Sequence, residues 1–426
     1  MHELAGPVRP PASDGPLDTS QRIESIDVLR GVAVLGIFAM NLPIFALPGV
    51  AFFNPPAAGG FQGADYLAWL LGHTLLDMKM MAIFSMLFGA GVVLFAQRLE
   101  ATGRRPGPVH ARRMLWLLAI GMLHAYLLWF GDILVAYALV GLAIYPLRRW
   151  PPRRLVLLAC AVLPVGMVLS GAQQAMFEAM RSATHGELAE AWREVAPMFE
   201  PTPESLAQER EKVLGGFFQR VRAHAPDVVM MQTWVFAVFI FWRVCGLMLL
   251  GMALGKLGVF SARRSPGFYR VMLLAGASIG GALVLVGVAL NHALGFDPVA
   301  YFGVVGWFNY AGSVGVALAW VAAVMLLCQS RALPWLRRAL AATGRMALTN
   351  YLAQSVFAAA VFYGWGLGLF GRFSRAELLA FVLAVWIVQP MLSVLWLARF
   401  RYGPMEWLWR CLTYARLEPI ARVRQA

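Results

Sequence analysis

The sequence predicts an all-α, polytopic membrane protein with about ten transmembrane helices and both termini in the cytoplasm. The first observation is composition: 60% of the 426 residues are hydrophobic and 14% are charged, whereas soluble domains are about 45–50% apolar and about 25% charged. The second is that apolar runs of roughly 18 to 25 residues recur along the chain, each long enough to cross a hydrocarbon core of ~30 Å as a helix. The third is the distribution of Lys and Arg between alternate connections.

The predicted spans follow one another with mostly short connections. They cover residues 27–46, 67–96, 113–130, 132–147, 155–172, 229–255, 271–291, 303–327, 346–365 and 377–397. Residues 1–21 are rich in Pro, Gly, Ser and Asp and lack an apolar core. They are therefore predicted to form a flexible tail and not a cleaved signal peptide.

The spans divide into two halves of about five, over residues 22–172 and 229–400. Residues 173–228 mix charges of both signs with helical periodicity, which predicts two amphipathic helices that form an extracytoplasmic cap. The alternative is that residues 173–228 form a surface segment without a functional role. Residues 401–426 are predicted to form a cytoplasmic interfacial segment, because aromatic side chains there suit the headgroup level.

Basic residues are concentrated in every second connection. The tail, the connections 97–113, 148–154, 256–270 and 328–345, and the segment from 398 together carry 25 Lys and Arg, and the alternate short connections carry 2. Because Lys and Arg are retained on the cytoplasmic side, both termini are predicted to be cytoplasmic. The bias also accounts for the net charge of +14 without a nucleic-acid partner, and it indicates contact with anionic membrane lipids.

The four cysteines are scattered, with no Cys-x-x-Cys pair. Neither a disulfide framework nor a metal site is predicted from them. The sequence does not define the oligomeric state, and a homodimer remains open.

The stretch from His124 to Asp132 joins the third and fourth spans with almost no loop. Ionisable side chains at membrane depth are costly and tend to be functional. A histidine can act as a general base or a transient acyl carrier, and a carboxylate can orient it. The alternatives are a packed histidine and an Asp132 that only caps the fourth span. Asn41, in the outer half of the first span, could donate to a developing oxyanion.

The remaining buried polar residues form a layer. Arg30, Lys79 and Arg243 lie from the cytoplasmic side to mid-depth, and are predicted to guide an anionic donor, since arginine matches phosphate geometry. The other pocket candidates are His73, Asp77, Asn350 and Gln354. Each also has a structural interpretation, as an ion pair or an interhelical hydrogen bond.

Several stretches resemble the YeiB family of bacterial inner-membrane proteins, whose function is largely unassigned. They are Arg22-x4-Asp27-Val-Leu-Arg30-Gly31 with Gly36 and Asn41, Phe84-Ser-Met-Leu-Phe-Gly-Ala-Gly91, Arg112-Arg113, Gly121-Met-Leu-His124, Gly131-Asp-Ile-Leu134, Gly344-Arg-Met-Ala-Leu-Thr-Asn-Tyr351 with Gln354 and Ser355, and Gly403-Pro-Met-Glu-Trp-Leu-Trp-Arg410. The resemblance implies a multi-pass protein of the bacterial inner membrane.

The first-span pattern is also similar to that of the heparan-α-glucosaminide N-acetyltransferase and related membrane acyltransferases. In those proteins an Asp-x-x-Arg-Gly opening is followed by an Asn eleven residues after the Arg, and Arg30 and Asn41 keep that spacing. The resemblance implies that Asn41 lies beside an acyl-transfer centre. Their histidine follows the first span closely. No histidine occupies residues 47–65 here, so His73 or His124 would have to substitute.

The leading hypothesis is an integral membrane acyltransferase. It would move an acyl group from a cytosolic acyl-CoA-like donor to an extracytoplasmic hydroxyl or amine on a glycan, lipid head group or small metabolite. His124 would be base or acyl carrier, Asp132 its orienting partner, and Asn41 an oxyanion or acceptor contact. One alternative is a transporter of a small anion or metabolite, which would use the same buried charges as a pathway. Another is a non-catalytic membrane scaffold or regulatory partner.

Overall fold

The computed structural model of this chain describes residues 23–330 and 332–422. The predicted tail over residues 1–21 lies outside the described residues, as does Arg22. Within the described ranges the chain is a bundle of helices without a β-strand, and one isolated bridge joins Phe400 to Ala421. The all-α fold class is confirmed.

Nineteen α-helices make up the described part of the bundle. They are α1 (Glu24–Ala46), α2 (Val50–Phe53), α3 (Ala64–Leu71), α4 (Lys79–Ala101), α5 (Pro106–Leu127), α6 (Leu134–Ile144), α7 (Pro152–Ser182), α8 (Glu187–Phe199), α9 (Pro203–Leu214), α10 (Phe217–Met230), α11 (Phe241–Lys256), α12 (Pro266–Ala275), α13 (Gly281–Ala293), α14 (Pro298–Ala300), α15 (Gly306–Gln329), α16 (Pro334–Arg345), α17 (Ala347–Phe362), α18 (Arg375–Arg399) and α19 (Pro404–Tyr414). Wider π-helical turns connect several of them, at Gly72–Leu76, Met231–Ile240, Gly276–Gly280 and Tyr301–Val305.

Each of the ten predicted spans coincides with a helical segment. Seven of these segments, within the described residues, are long and apolar enough to cross a membrane: Glu24–Ala46, Ala64–Ala101, Pro152–Ser182, Phe217–Lys256, Pro266–Ala293, Pro298–Gln329 and Arg375–Arg399. The helix α17 is a shorter apolar segment. The chain is therefore a polytopic helical membrane protein. Within residues 173–228, α8 and α9 are two separate short helices. The first part of this stretch belongs to the end of α7, and its last part belongs to the start of α10.

The basic connections meet at one end of the bundle, which we call the basic end. Glu100 at the end of α4 pairs with Arg149 (3.1 Å), and Lys256 at the end of α11 donates to the Trp150 carbonyl (2.7 Å). At the opposite end, Arg181 pairs with Asp297 (2.9 Å). The connections 97–113, 148–154 and 256–270 therefore lie on one side, as alternating helix directions require.

Two glycines allow the helices α4 and α11 to approach closely. A Cβ atom added at Gly89 on α4 would collide with the Met248 backbone of α11, and one added at Gly251 on α11 would collide with the Met86 backbone. Backbone approach of this kind is the usual way in which membrane helices gain packing energy. The α4–α11 contact brings the second and sixth spans together at the centre of the bundle.

The second span is a broken helix, whereas a continuous span over residues 67–96 was predicted. The helix stops at Asp77, whose ψ is 129°, and restarts after Met78, which has a left-handed φ of 62°. Neither Gly nor Pro marks the break, so the usual sequence signals are absent. Polar side chains from other spans stabilise it, as described below.

We predict that Gly89→Ala and Gly251→Ala will each lower the free energy of unfolding by about 1–3 kcal/mol, because an added methyl forces two backbones apart. Thermal unfolding of the detergent-purified variants measures this.

The matched control is Gly281→Ala on α13, where an added Cβ meets open space. That variant should be neutral or more stable by about 0.5–1 kcal/mol, as expected for alanine in a helix. Equal melting temperatures for all three variants would contradict the close approach of α4 and α11.

Candidate functional site

A cavity of about 390 Å³ enters the bundle from the basic end. Its lining positions on α1 run from Ile23 to Ile37, and fourteen residues of helix correspond to a depth of ~21 Å. Helices α1, α4, α5, α6, α17 and α19 supply most of its wall. The cavity therefore reaches from the basic end well into the membrane-spanning part of the protein.

Five arginines line the cavity against two carboxylates, Asp27 and Glu406. The arginines are Arg30, Arg98, Arg113, Arg345 and Arg410. This imbalance gives the opening a positive potential, which attracts anions and raises their local concentration.

Aromatic rings hold two of these guanidinium groups. The Arg113 guanidinium carbon lies 4.8 Å from the Phe95 ring centroid and 4.4 Å from that of Trp409. Arg410 lies between Tyr402 and Tyr414, at 5.0 and 5.3 Å. Because cation–π contact leaves N–H groups at the edge of the guanidinium plane available, these arginines are ordered before any anion arrives.

The carboxylates have structural partners. Asp27 accepts from Arg30 at 3.2 Å on the first turn of α1. Glu406 on α19 accepts from the backbone N–H groups of Leu348 (2.7 Å) and Thr349 (3.1 Å), at the start of α17. Burial raises the pKa of the Glu406 carboxyl above its ordinary value, although these hydrogen bonds oppose the rise. Glu406 thus fixes α19, and with it Trp409 and Arg410, across the opening.

The inner end of the cavity is apolar and aromatic. Phe84, Ile133, Leu134, Tyr137 and Tyr351 line it. A charged head group would therefore stay at the arginines, while an apolar chain would extend toward Tyr351.

His124 and Asp132 lie behind this inner wall. The His124 Nδ1 is 2.6 Å from Asp132 Oδ2, and both side chains are 1% exposed. Asp132 Oδ1 accepts from the Val135 N–H at 2.9 Å, so the same carboxylate caps α6 and orients the imidazole. The His124 Nε2 is buried and has no hydrogen-bond partner. With Nδ1 bonded to the carboxylate, Nε2 is the nitrogen left to accept a proton.

Tyr351 connects this dyad to both the cavity and a second, smaller pocket. Its ring centroid lies 5.1 Å from that of His124. On the other side it lines a pocket of about 10 Å³, together with Phe38, Asn41, Phe45, Gln354 and Ser355. Asn41 is one helical turn beyond Ile37 on α1, and Gln354 nearly one turn beyond Tyr351 on α17. The dyad and Asn41, which the sequence predicted to act together, thus both border Tyr351.

Lys79 lies at the helix break, outside the cavity wall. It is fully buried and donates to the His73 carbonyl and to Asn309 Oδ1, the latter at 2.6 Å. Asn309 in turn donates to Asp77 Oδ2 at 3.1 Å, and Asp77 lies 3.3 Å from His73 Nδ1. Lys79 therefore satisfies a carbonyl that the broken helix leaves without its own partner.

Arg243 on α11 stabilises the same break. It is fully buried and donates to the Tyr310 carbonyl (3.0 Å), to Ser313 Oγ (2.6 Å) and to the Met78 carbonyl (3.4 Å). The cavity lining includes neither Lys79 nor Arg243. Of the three cations predicted to guide a donor, only Arg30 lines it.

Asn350 and Gln354 join α17 to its neighbours. Asn350 donates to Ser393 Oγ on α18 at 3.1 Å, and Gln354 donates to the Val34 carbonyl on α1 (3.2 Å) and to Gln389 Oε1 on α18 (2.7 Å). These are interhelical hydrogen bonds of the kind expected in lipid. Gln354 Oε1 is buried without a partner.

Sequence reasoning did not single out Arg113, Arg410, Tyr351 or Glu406. The arginines were assigned to topology because they stand in basic connections. Arg410 directly follows Trp409 in the sequence, but Arg113 is flanked by Arg112 and Met114, so no local pattern distinguishes it from the other basic residues.

Within residues 23–330 and 332–422, no group of three or more His, Cys, Asp or Glu side chains could hold a metal ion. The four cysteines are free thiols.

Comparison with known proteins identifies relatives along nearly the whole chain. The family described as "Protein of unknown function (DUF418)" matches residues 254–416. The uncharacterized protein YeiB of Escherichia coli (strain K12) is 31% identical over 419 residues, covering 94% of this chain and 98% of the relative. The uncharacterized protein YxaH of Bacillus subtilis (strain 168) is 29% identical over 425 residues, covering 96% and 98%. An uncharacterized 39.9 kDa protein in the amylase 3' region of Bacillus acidopullulyticus is 26% identical, covering 96% and 99%. No solved structure matches the chain at a significant level.

We predict that Lys79→Met will lower the free energy of unfolding by about 3–5 kcal/mol, because it leaves Asp77 and two oxygen acceptors in the bundle without their cation. Adding Asp77→Asn should cost less in this background than in the wild type, since the two groups share one network. Thermal unfolding of the four proteins in the cycle measures the coupling.

Lys256→Met is the matched control, because Lys256 donates to a carbonyl at the basic end and not at the break. An equally small effect of both lysine substitutions would contradict a structural role for Lys79.

Proposed function

This chain belongs to the YeiB family, and from that premise we propose that it is an integral membrane acyltransferase of the bacterial inner membrane with its basic end in the cytoplasm. The donor is an acyl-CoA-like molecule that enters from that end. The acceptor is a hydroxyl or amine on the extracytoplasmic side, carried by a glycan, a lipid head group or a small metabolite.

The observation that carries the proposal is the cavity that connects the arginine-lined opening to Tyr351, whose ring packs against His124. A donor with phosphates at one end and an acyl chain at the other matches this gradient from positive to apolar. Arginine forms paired hydrogen bonds with phosphate oxygens, so Arg30, Arg113 and Arg410 are the donor contacts.

His124 is the general base of the proposed reaction. Its Nδ1 is held by Asp132 at 2.6 Å, which stabilises the imidazolium that forms when Nε2 accepts a proton. In a dry site this pairing replaces water, which would otherwise solvate the charge. Asn41 lines the small pocket together with Tyr351, and its proposed role is to donate to the developing oxyanion or to hold the acceptor.

A transporter of a small anion or metabolite is the second candidate, and the broken second span supports it. Transporters often build their sites from discontinuous helices near mid-membrane. Here, Asp77, Lys79 and Asn309 meet at such a break. The two cations at the break, Lys79 and Arg243, are bonded to backbone and side-chain oxygens of the bundle. Neither of them lines the cavity, which is why we favour the acyltransferase.

We predict that CoA and acyl-CoA will raise the melting temperature of the purified full-length protein saturably, because a ligand that binds only the folded state stabilises it by mass action. Arg30→Ala should weaken CoA binding by about tenfold or more, which is the effect of one charge-assisted hydrogen bond. The measurement is thermal unfolding titrated with CoA.

Arg149→Ala is the control, since Arg149 is an arginine of the basic end whose side chain is 75% exposed and does not line the cavity. It should bind CoA like the wild type. His124→Ala should also bind CoA but should no longer release free CoA thiol from acyl-CoA. Absence of any shift at millimolar CoA would overturn the proposed donor.

Vesicle uptake separates the two candidate functions. Reconstituted protein that moves a labelled anion saturably, without forming an acylated product, would favour the transporter. For the acyltransferase we expect covalent transfer of label to an acceptor, lost in His124→Ala, and no net uptake.

A further inference from the structure

The small pocket beyond Tyr351 has a chemistry of its own. We propose that it is the acceptor subsite and that it admits a primary hydroxyl or primary amine in preference to a secondary one. This inference rests on the proposed acyl transfer and names the class of acceptor.

An unpartnered polar group marks the pocket as a binding site. Gln354 is 4% exposed, lines the pocket, and has a buried Oε1 that accepts no hydrogen bond. Buried polar atoms in proteins are nearly always satisfied, and an exception calls for a water or a ligand. A water, a hydroxyl or an amine can supply the missing hydrogen bond, because each of them can donate.

Asn41 is available for the same ligand. It lines the pocket, and no hydrogen bond joins its side chain to another residue that the structure describes. Its amide can donate as well as accept. Together, Gln354 can accept a hydrogen bond from a hydroxyl group and Asn41 can donate one to it.

The size of the pocket limits what can enter. A volume of about 10 Å³ is close to the ~10–15 Å³ that one water molecule needs. Phe38 and Phe45, 3% and 2% exposed, are part of its wall. This space matches a single terminal hydroxyl or amine, whereas the branched carbon of a secondary group would have to displace the wall.

The position suits the transfer step. His124 and the pocket both contact Tyr351, and the cavity that holds the donor ends at the same residue. The acceptor oxygen or nitrogen attacks the thioester carbonyl carbon, and its proton passes to His124. The new C–O or C–N bond forms as the C–S bond breaks, and the proton returns to the leaving thiolate to give free CoA.

The test uses the full-length protein in lipid nanodiscs with acetyl-CoA, and it measures free thiol and acetylated product. Ethanol and 2-propanol are the soluble primary and secondary probes, and octyl glucoside and phosphatidylethanolamine present the same groups on membrane-borne amphiphiles. The wild type should prefer ethanol over 2-propanol by at least about tenfold, the discrimination that one extra carbon produces in a tight pocket. Acetylated product from the amphiphiles alone identifies a membrane-borne acceptor. Acetylated product from the soluble alcohols as well as the amphiphiles identifies a soluble acceptor.

Asn41→Leu fills the pocket without removing a bond from the fold. It should bind CoA normally, and its rate of acetyl transfer should fall at least about tenfold. Asn41→Ala enlarges the pocket and should reduce the preference for ethanol over 2-propanol. Gln329→Leu is the matched control, because Gln329 also has a buried, unpartnered Oε1 but lies near the basic end and lines neither space. It should behave like the wild type.

Two results would overturn the inference while leaving the acyltransferase intact. One is transfer with equal use of primary and secondary probes in the wild type. The other is an unchanged rate in Asn41→Leu. If no thiol is released by any protein although CoA binds, the proposed reaction itself is wrong. A high-resolution cryo-EM map of the wild type then decides the pocket: density bonded to Gln354 and Asn41 supports a polar subsite, and a dry pocket excludes it.

Discussion

Every polar group inside a hydrocarbon layer must find its partner within the protein, and this constraint organises the centre of the bundle. The second span breaks at Asp77 and Met78, which frees backbone carbonyls at membrane depth. Lys79 donates to one of them, the His73 carbonyl, and Asn309 links Lys79 to Asp77. Arg243 donates to the Met78 carbonyl, which also accepts from the Ala82 N–H at 3.1 Å. The three helices α4, α11 and α15 are thereby joined by charge-assisted hydrogen bonds, at the level where α4 and α11 also begin their close approach.

Most of the fold could be predicted from the sequence because the depth of each segment in a membrane depends mainly on its hydropathy and charge. Length and hydropathy place the spans, and the Lys and Arg bias groups their ends. The break at Asp77 could not be predicted, because its stabilising partners come from residues 243 and 309, far along the chain. The same limit applies to Lys79. Its depth in the membrane could be predicted, but its hydrogen bond to the His73 carbonyl depends on the helix break, which no local sequence pattern indicates.

The candidate site was predictable in part for the same reason. A histidine and a carboxylate on either side of a tight turn were singled out for their cost in lipid, and the structure brings them to 2.6 Å. Asn41 shares their surroundings because α1 and α17 run side by side. The wall of the cavity was not predictable, since Arg113 on α5 acquires its position from Phe95 on α4 and Trp409 on α19. Tyr351 owes its central position to packing alone, and it lines both of the spaces that the proposed donor and acceptor occupy.

The depth of the cavity has an electrical consequence. Where electrolyte fills the arginine-lined part of the cavity, the insulating layer is thinner than the ~30 Å of the hydrocarbon. The membrane potential then falls mainly across the part of the protein beyond the arginines instead of across the whole bilayer. Each elementary charge moved through 100 mV changes in energy by ~2.3 kcal/mol, so a proton or acyl-linked charge displaced near His124 experiences most of that voltage within a few side chains. The proposed proton transfer to His124 would therefore be coupled to the energetic state of the cell without any dedicated voltage sensor.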